Sequence, residues 1–352
     1  MSKERCSGFM NKKIERLFWP DFIRAIACVC VVIVHFNANV TAMWTLDNCI
    51  IPNHFLDMYL GTIGVNLFFT ISGAMLMYTY IKRGPEPLIK FYKRRFTTIY
   101  PMYWIAFFFA TCVSFLVFRR MPSDNIFWII NDIIGFSGYL YTLGFTPLGF
   151  YQLGEWFLAV IICLYILAPI LLWVTDKYTK RAMGLCFIIY AVLIKMGVHD
   201  QFVLMYVPNM LVGMVLIKFK ENFNFIATII SLVIMLLIYA VRDIIGLKDS
   251  IYIFLESICI YVILGYLGAY IEKNFVAAKI TRWIAKYSYP IFLVHHRLIT
   301  LLCLRFDLSI LGKRDIWLLF IIFLMLTVIL SKGLYLMYTR IELMWKNIKL
   351  GT

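Results

Sequence analysis

Long apolar blocks separated by short basic or polar segments set the pattern of this chain. Ten such blocks run approximately 18–37, 60–80, 97–118, 155–174, 184–198, 203–218, 225–242, 252–271, 287–304 and 316–338. Most reach the ~20 residues that a helix needs to cross a bilayer. The fifth and sixth are short and are split by the polar Val198-His199-Asp200-Gln201 turn. A weaker apolar stretch at 126–145, interrupted by Asn131 and Asp132, is either re-entrant or interfacial; if it crosses, the count becomes eleven. The pattern predicts an all-α, polytopic membrane protein of about ten transmembrane helices.

Composition agrees. The 352 residues are 62% hydrophobic and 15% charged, with mean hydropathy +0.84. Soluble domains are nearer a quarter charged. So much apolar surface needs lipid as its solvent. No low-complexity tract and no internal repeat is evident, and no soluble domain is expected beside the membrane domain over 1–352. A short N-terminus (1–17) and tail (339–352) flank the spans. The basic N-terminus followed by an apolar run imitates a signal peptide. Arg24 interrupts that run and no small-x-small cleavage site follows, so it is expected to stay as a first span.

The net charge of +15 changes the picture only through its placement. The N-terminus, the segments near 81–96, 175–183, 218–224 and 272–286, and the tail hold 23 basic residues, against 7 in the alternate segments. By the positive-inside rule both termini are cytoplasmic. The charge is therefore a topology signal and not a nucleic-acid footprint, and membrane lipids are the expected partners. Most of the nine cysteines lie within spans. Cys49 in an outer loop has no obvious disulfide partner, and Cys28-Val29-Cys30 has neither redox nor zinc-ligand spacing.

Arg24 and His35 interrupt the first apolar block, Phe18 to Phe36. Arg alone in such a place costs ~2.5–3.5 kcal/mol on insertion scales. The two are eleven residues apart, close to three helical turns, so both project from one face ~16 Å apart. Neutral imidazole is the side chain best suited to take a hydroxyl proton near neutral pH. Lys93, Arg94 and Arg95 sit together at the cytoplasmic end of the third block; three cations there suit phosphates and equally serve as topology anchors. Glu155 and Trp156 open the fourth block on the outer side, at roughly the depth of His35. Gly64, Ser72 and Gly73 provide small residues for helix packing, with Ser72 able to bond across helices.

Five stretches in order resemble acyltransferase family 3 of bacterial membrane proteins. They are Asp21-Phe22-Ile23-Arg24 with His35, Gly64 to Gly73, Phe91 to Pro101, Trp156-Phe157-Leu158 with Tyr165 and Pro169, and Tyr287 to His295. Members O-acylate surface polysaccharides, peptidoglycan, lipid-linked glycans and some small molecules. The resemblance implies a stand-alone member without an extracytoplasmic hydrolase-like domain. It implies that His35 is the catalytic base or a transient acyl carrier, with Arg24 as its companion. It also implies a donor acyl-CoA, acetyl-CoA first, with no permanently bound cofactor and with phosphates met by Lys93, Arg94 and Arg95. A glycan acceptor would arrive from the outer side, and polysaccharide-assembly proteins are possible partners. The family's second cytoplasmic Arg is replaced here by Thr98. Glu155 would orient His35 or the acceptor, Trp156 would stack on a sugar ring, and Ser288 and His295 would contact substrate. The competing functions are a transporter of a lipid-linked glycan or another solute, to which intramembrane Arg and His are also suited, and an inactive relative acting as a membrane partner.

Overall fold

A computed structural model of the chain describes residues 16–42, 50–119, 126–145, 153, 155–219, 223–306 and 308–350. Helices α1 (Trp19–Ala42), α2 (Leu60–Arg83), α3 (Leu88–Phe118), α4 (Ile126–Ile134) and α5 (Ser137–Thr142) come first, with a two-residue hairpin, His54–Phe55 against Met58–Tyr59, before α2. They are followed by α6 (Glu155–Lys195), a 3-10 turn at Val203–Tyr206, α7 (Val207–Lys218), α8 (Phe225–Ile245), α9 (Asp249–Ile271), α10 (Phe275–Arg305) and α11 (Lys313–Leu350). Among the described residues, seven helices are long and apolar enough to cross a membrane: α1, α2, α3, α6, α8, α9 and α11.

The expected ten separate spans are not reproduced one for one. The fourth and fifth apolar blocks lie in two helical parts of α6 that meet at Tyr178, whose dihedrals (φ −133°, ψ 41°) are not helical. The expected 175–183 loop is a kink between two helical parts, with helical turns on either side of Tyr178. Lys218 holds the bend by donating to the carbonyls of Thr175 and Asp176 and to the Thr179 hydroxyl. A cation at freed helix carbonyls meets both their hydrogen-bonding need and their partial charge. The sixth block is a 3-10 turn plus the 12-residue α7. The ninth lies in α10, which is outside the seven and carries His295, His296 and Arg297. Several helices overrun their apolar blocks because a helix satisfies its own backbone in water as well as in lipid.

The chain forms two compact units, each assembled from separated stretches: Met1–Ala27, His54–Lys93 and Val160–Ala285 in the first; Cys28–Asn53, Arg94–Ala159 and Lys286–Thr352 in the second. In the first, Ile23, Ala27, Leu67, Ile71, Ala74 and Tyr261 form part of one buried cluster. There α2 and α7 approach until their backbones touch: a Cβ at Gly73 would overlap the Met210 carbonyl, and one at Gly213 the Thr70 carbonyl. Small residues permit that approach, and dispersion plus Cα–H···O contacts reward it. Ser72 does not bond across helices as expected; its hydroxyl donates to Phe68 O on α2 itself.

In the second unit, Phe36 packs against Phe320 and Phe323, and Phe157 against Phe292. The 126–145 stretch is two short helices. At nine residues, α4 spans ~13 Å and cannot cross. It ends at Gly135, whose positive φ of 78° closes a turn with Gly135 N–H on Asp132 O and Phe136 N–H on Asn131 O. The last carbonyls of α4 are taken by side chains of α3: Tyr103 on Asp132, Trp104 on Ile133 and Tyr100 on Ile134. From Trp104, α3 runs on for ~21 Å to Phe118. The stretch thus lies alongside α3, with these carbonyls satisfied by protein as lipid requires. The same economy treats Pro101, which cannot donate to Thr97 O; Tyr338 donates there instead (3.4 Å).

Candidate functional site

The continuous helix α1 carries both Arg24 and His35. Near its start, Asp21 is 6% exposed and accepts from both Arg16 (2.7 and 2.9 Å) and Arg24 (3.3 Å). Asp21 also lies in the first helical turn, where a carboxylate is favoured by the backbone dipole. Its one negative charge thus serves two guanidinium groups and fixes the direction of Arg24. In the sequence, the signal for this ion pair is the i, i+3 spacing of Asp21 to Arg24.

Three turns on, His35 is half-buried and meets α10. Its Nδ1 lies 2.7 Å from Nε2 of His295. The two rings are within 4° of coplanar with centroids 4.9 Å apart. His296 places its ring edgewise to His35 (5.2 Å, 76°). The carbonyl of His35 accepts from Asn39, whose side-chain oxygen accepts from Thr300 (3.2 Å). Next to His296 on α10, Arg297 donates to the Ser114 hydroxyl of α3 (2.5 Å). Asn37 ties the same end of α1 to Ile51 O and Asn53. Three histidines, an arginine and five amide or hydroxyl side chains thus lie at this end of α1 and on the facing part of α10 and α3. Sequence places His296 beside His295 in the ninth block but gives no role to Arg297, Asn39 or Thr300. The consecutive His-His-Arg inside an apolar block was the available signal.

At the start of α6, Phe157 packs on Phe292, whose ring is 6.2 Å from that of His295. Ser288 is buried two turns before His295 on the same side of α10. Trp156 is half-buried at the start of α6 with its ring against Phe157 (6.3 Å). Glu155 opens α6, and its side chain lies outside the described residues, as does Cys49. Lys93 is exposed on the first turns of α3, with Arg94 and Arg95 half-buried. Thr98, at the place of the family's second Arg, donates to Arg94 O (2.8 Å), so its hydroxyl is turned onto its own helix. Among the described residues no group of three or more His, Cys, Asp or Glu is arranged to hold a metal ion.

A family described as an acyltransferase domain, acyltransferase family 3, matches residues 17–336. The chain belongs to that family. No curated protein and no solved structure matched it. A match over most of the chain makes this a multi-pass membrane acyltransferase, transferring groups other than amino-acyl groups. It also gives the polar groups around His35 a chemical context that spacing alone does not: acyltransferase chemistry calls for a base.

Proposed function

We propose that this protein is an O-acyltransferase of the cytoplasmic membrane. It moves an acyl group, acetyl in the first instance, from cytoplasmic acyl-CoA to a hydroxyl of a surface or lipid-linked glycan. The observation that carries the reading is the hydrogen-bonded His35–His295 pair, three turns from Arg24 on a single helix of an acyltransferase-family chain. An imidazole so held supplies a base whose geometry is fixed before substrate arrives.

In this reading Lys93, Arg94 and Arg95 meet the donor's phosphates, and Arg24, braced by Asp21, lies along the donor's path or stabilises negative charge there. His35 takes the acceptor's hydroxyl proton as the oxygen attacks the thioester carbonyl. The C–O bond forms, the C–S bond breaks, and the proton passes to the departing coenzyme A thiolate. A route through acyl-His35 uses the same residues. Glu155, Trp156 and Ser288 are assigned to positioning the acceptor. Acyl-CoA is a substrate here and not a resident cofactor.

The test is mass spectrometry of surface glycans from wild-type, deletion and His35→Ala strains. An acyl mass present in wild type and lost in both others, with His35→Ala inserted at normal levels, is the expected result. Normal acylation by His35→Ala removes the base assignment; glycans with the same acyl content in the deletion strain remove the glycan acceptor.

A further inference from the structure

The contact between the two histidines has a direction. The ring of His295 is 1% exposed, and its Nδ1 lies 2.9 Å from the carbonyl oxygens of both Ile291 and Phe292. A carbonyl oxygen only accepts, so Nδ1 is the nitrogen of His295 that bears the proton. In neutral imidazole the other nitrogen is then a bare acceptor. That nitrogen, Nε2, faces His35 Nδ1 at 2.7 Å. The proton between the rings therefore belongs to His35, and Nε2 of His35 keeps its lone pair.

The ring geometry supports this order. Two coplanar rings with centroids 4.9 Å apart and nitrogens 2.7 Å apart are joined edge to edge, not stacked face to face. The N–H of one then points along the lone pair of the other, which is where such a bond is strongest. The ring of His296 instead stands edgewise to His35, at 76°.

The geometry points to His295 as a positioning residue: anchored by the Ile291 and Phe292 carbonyls, it holds His35 with its proton on Nδ1, leaving Nε2 to take the acceptor's proton. The inference rests on the reading of His35 as the base. In the opposite tautomer Nε2 carries a hydrogen and can accept nothing. When His35 takes the proton, its Nδ1–H bond to His295 becomes charge-assisted and stronger. If the shared proton crosses to His295, the positive charge faces two carbonyl oxygens. The one proton drawn from the hydroxyl stays within the pair until the thiolate takes it.

The experiment is nitrogen-15 NMR of the full-length protein, labelled at histidine and purified in detergent, because protonated and bare ring nitrogens resonate far apart. A His35→Gln variant identifies the His35 signals. The expected wild-type spectrum shows His35 protonated at Nδ1 and bare at Nε2. His295→Gln places an amide oxygen where Nε2 was, so it should keep that tautomer and much of the glycan acylation. His295→Ala should move the proton to Nε2 and lower acylation by roughly 100-fold, with acetyl-CoA affinity unchanged. A wild-type His35 protonated at Nε2 overturns the inference, as does a Gln variant no better than Ala. The wild-type spectrum decides the tautomer even if His295→Ala fails to fold. The expected tautomer in a protein whose deletion leaves glycans unchanged upholds the positioning and removes the glycan acceptor.

Discussion

Arg95 is the residue at which the donor reading is most exposed to test. It is half-buried on α3 beside Arg94, and Thr98 supplies no second guanidinium one turn away. A charge-assisted hydrogen bond is worth ~1.5–3 kcal/mol, so Arg95→Ala should raise the acetyl-CoA dissociation constant by about tenfold or more. Arg95→Lys should rescue only partly, since an ammonium lacks the forked donor geometry. Calorimetry on purified protein at two salt concentrations measures both. Unchanged binding in Arg95→Ala would leave the cluster as a topology anchor only. Arg24 and His35 were legible in the sequence because a charge and an imidazole in hydrocarbon are costly enough to stand out. Asp21 was less visible, since an acid at a helix start is ordinary until its two arginine partners are seen.

Among the helices, the α2–α7 crossing gives the sharpest contrast. Gly73 and Gly213 face backbone carbonyls that cannot swing aside. Gly73→Ala or Gly213→Ala must push the helices apart, at a cost of ~1–3 kcal/mol. Gly184 and Gly333 also lie in helices, yet an added Cβ there meets nothing within 4 Å. Alanine at those two should be neutral or stabilise by up to ~1 kcal/mol, through the lower entropy of the unfolded chain. Thermal denaturation in detergent, followed by loss of monodisperse protein, separates the pairs. Equal melting of Gly73→Ala and Gly184→Ala would mean that the two helices do not touch at Gly73. The sequence identified Gly73 as a packing residue, but its partner Gly213 lay 140 positions away with nothing local to link them.

For the whole molecule, the measurable expectation is orientation. With 23 basic residues on one set of segments and 7 on the other, both termini should face the cytoplasm. Reporter fusions at each end should read cytoplasmic, and Cys49 should react with an impermeant thiol reagent in intact cells. Fusions that read extracytoplasmic would invert the molecule and move Lys93, Arg94 and Arg95 away from the cytoplasmic donor.

The sequence by itself determined the solvent, the helical class, the family and the first-span Arg–His pair. These follow from the cost of placing residues in lipid, which adds up locally along the chain. Only the tertiary structure decided that the two helical parts of α6 join directly at Tyr178, with Lys218 from another helix holding the joint. It alone set the 126–145 stretch beside α3 as two short helices, the last carbonyls of the first satisfied by Tyr100, Tyr103 and Trp104. It alone brought His295 onto His35 across 260 residues. Hydrogen bonds of that reach depend on which helix faces meet, and hydropathy along a chain carries no record of that.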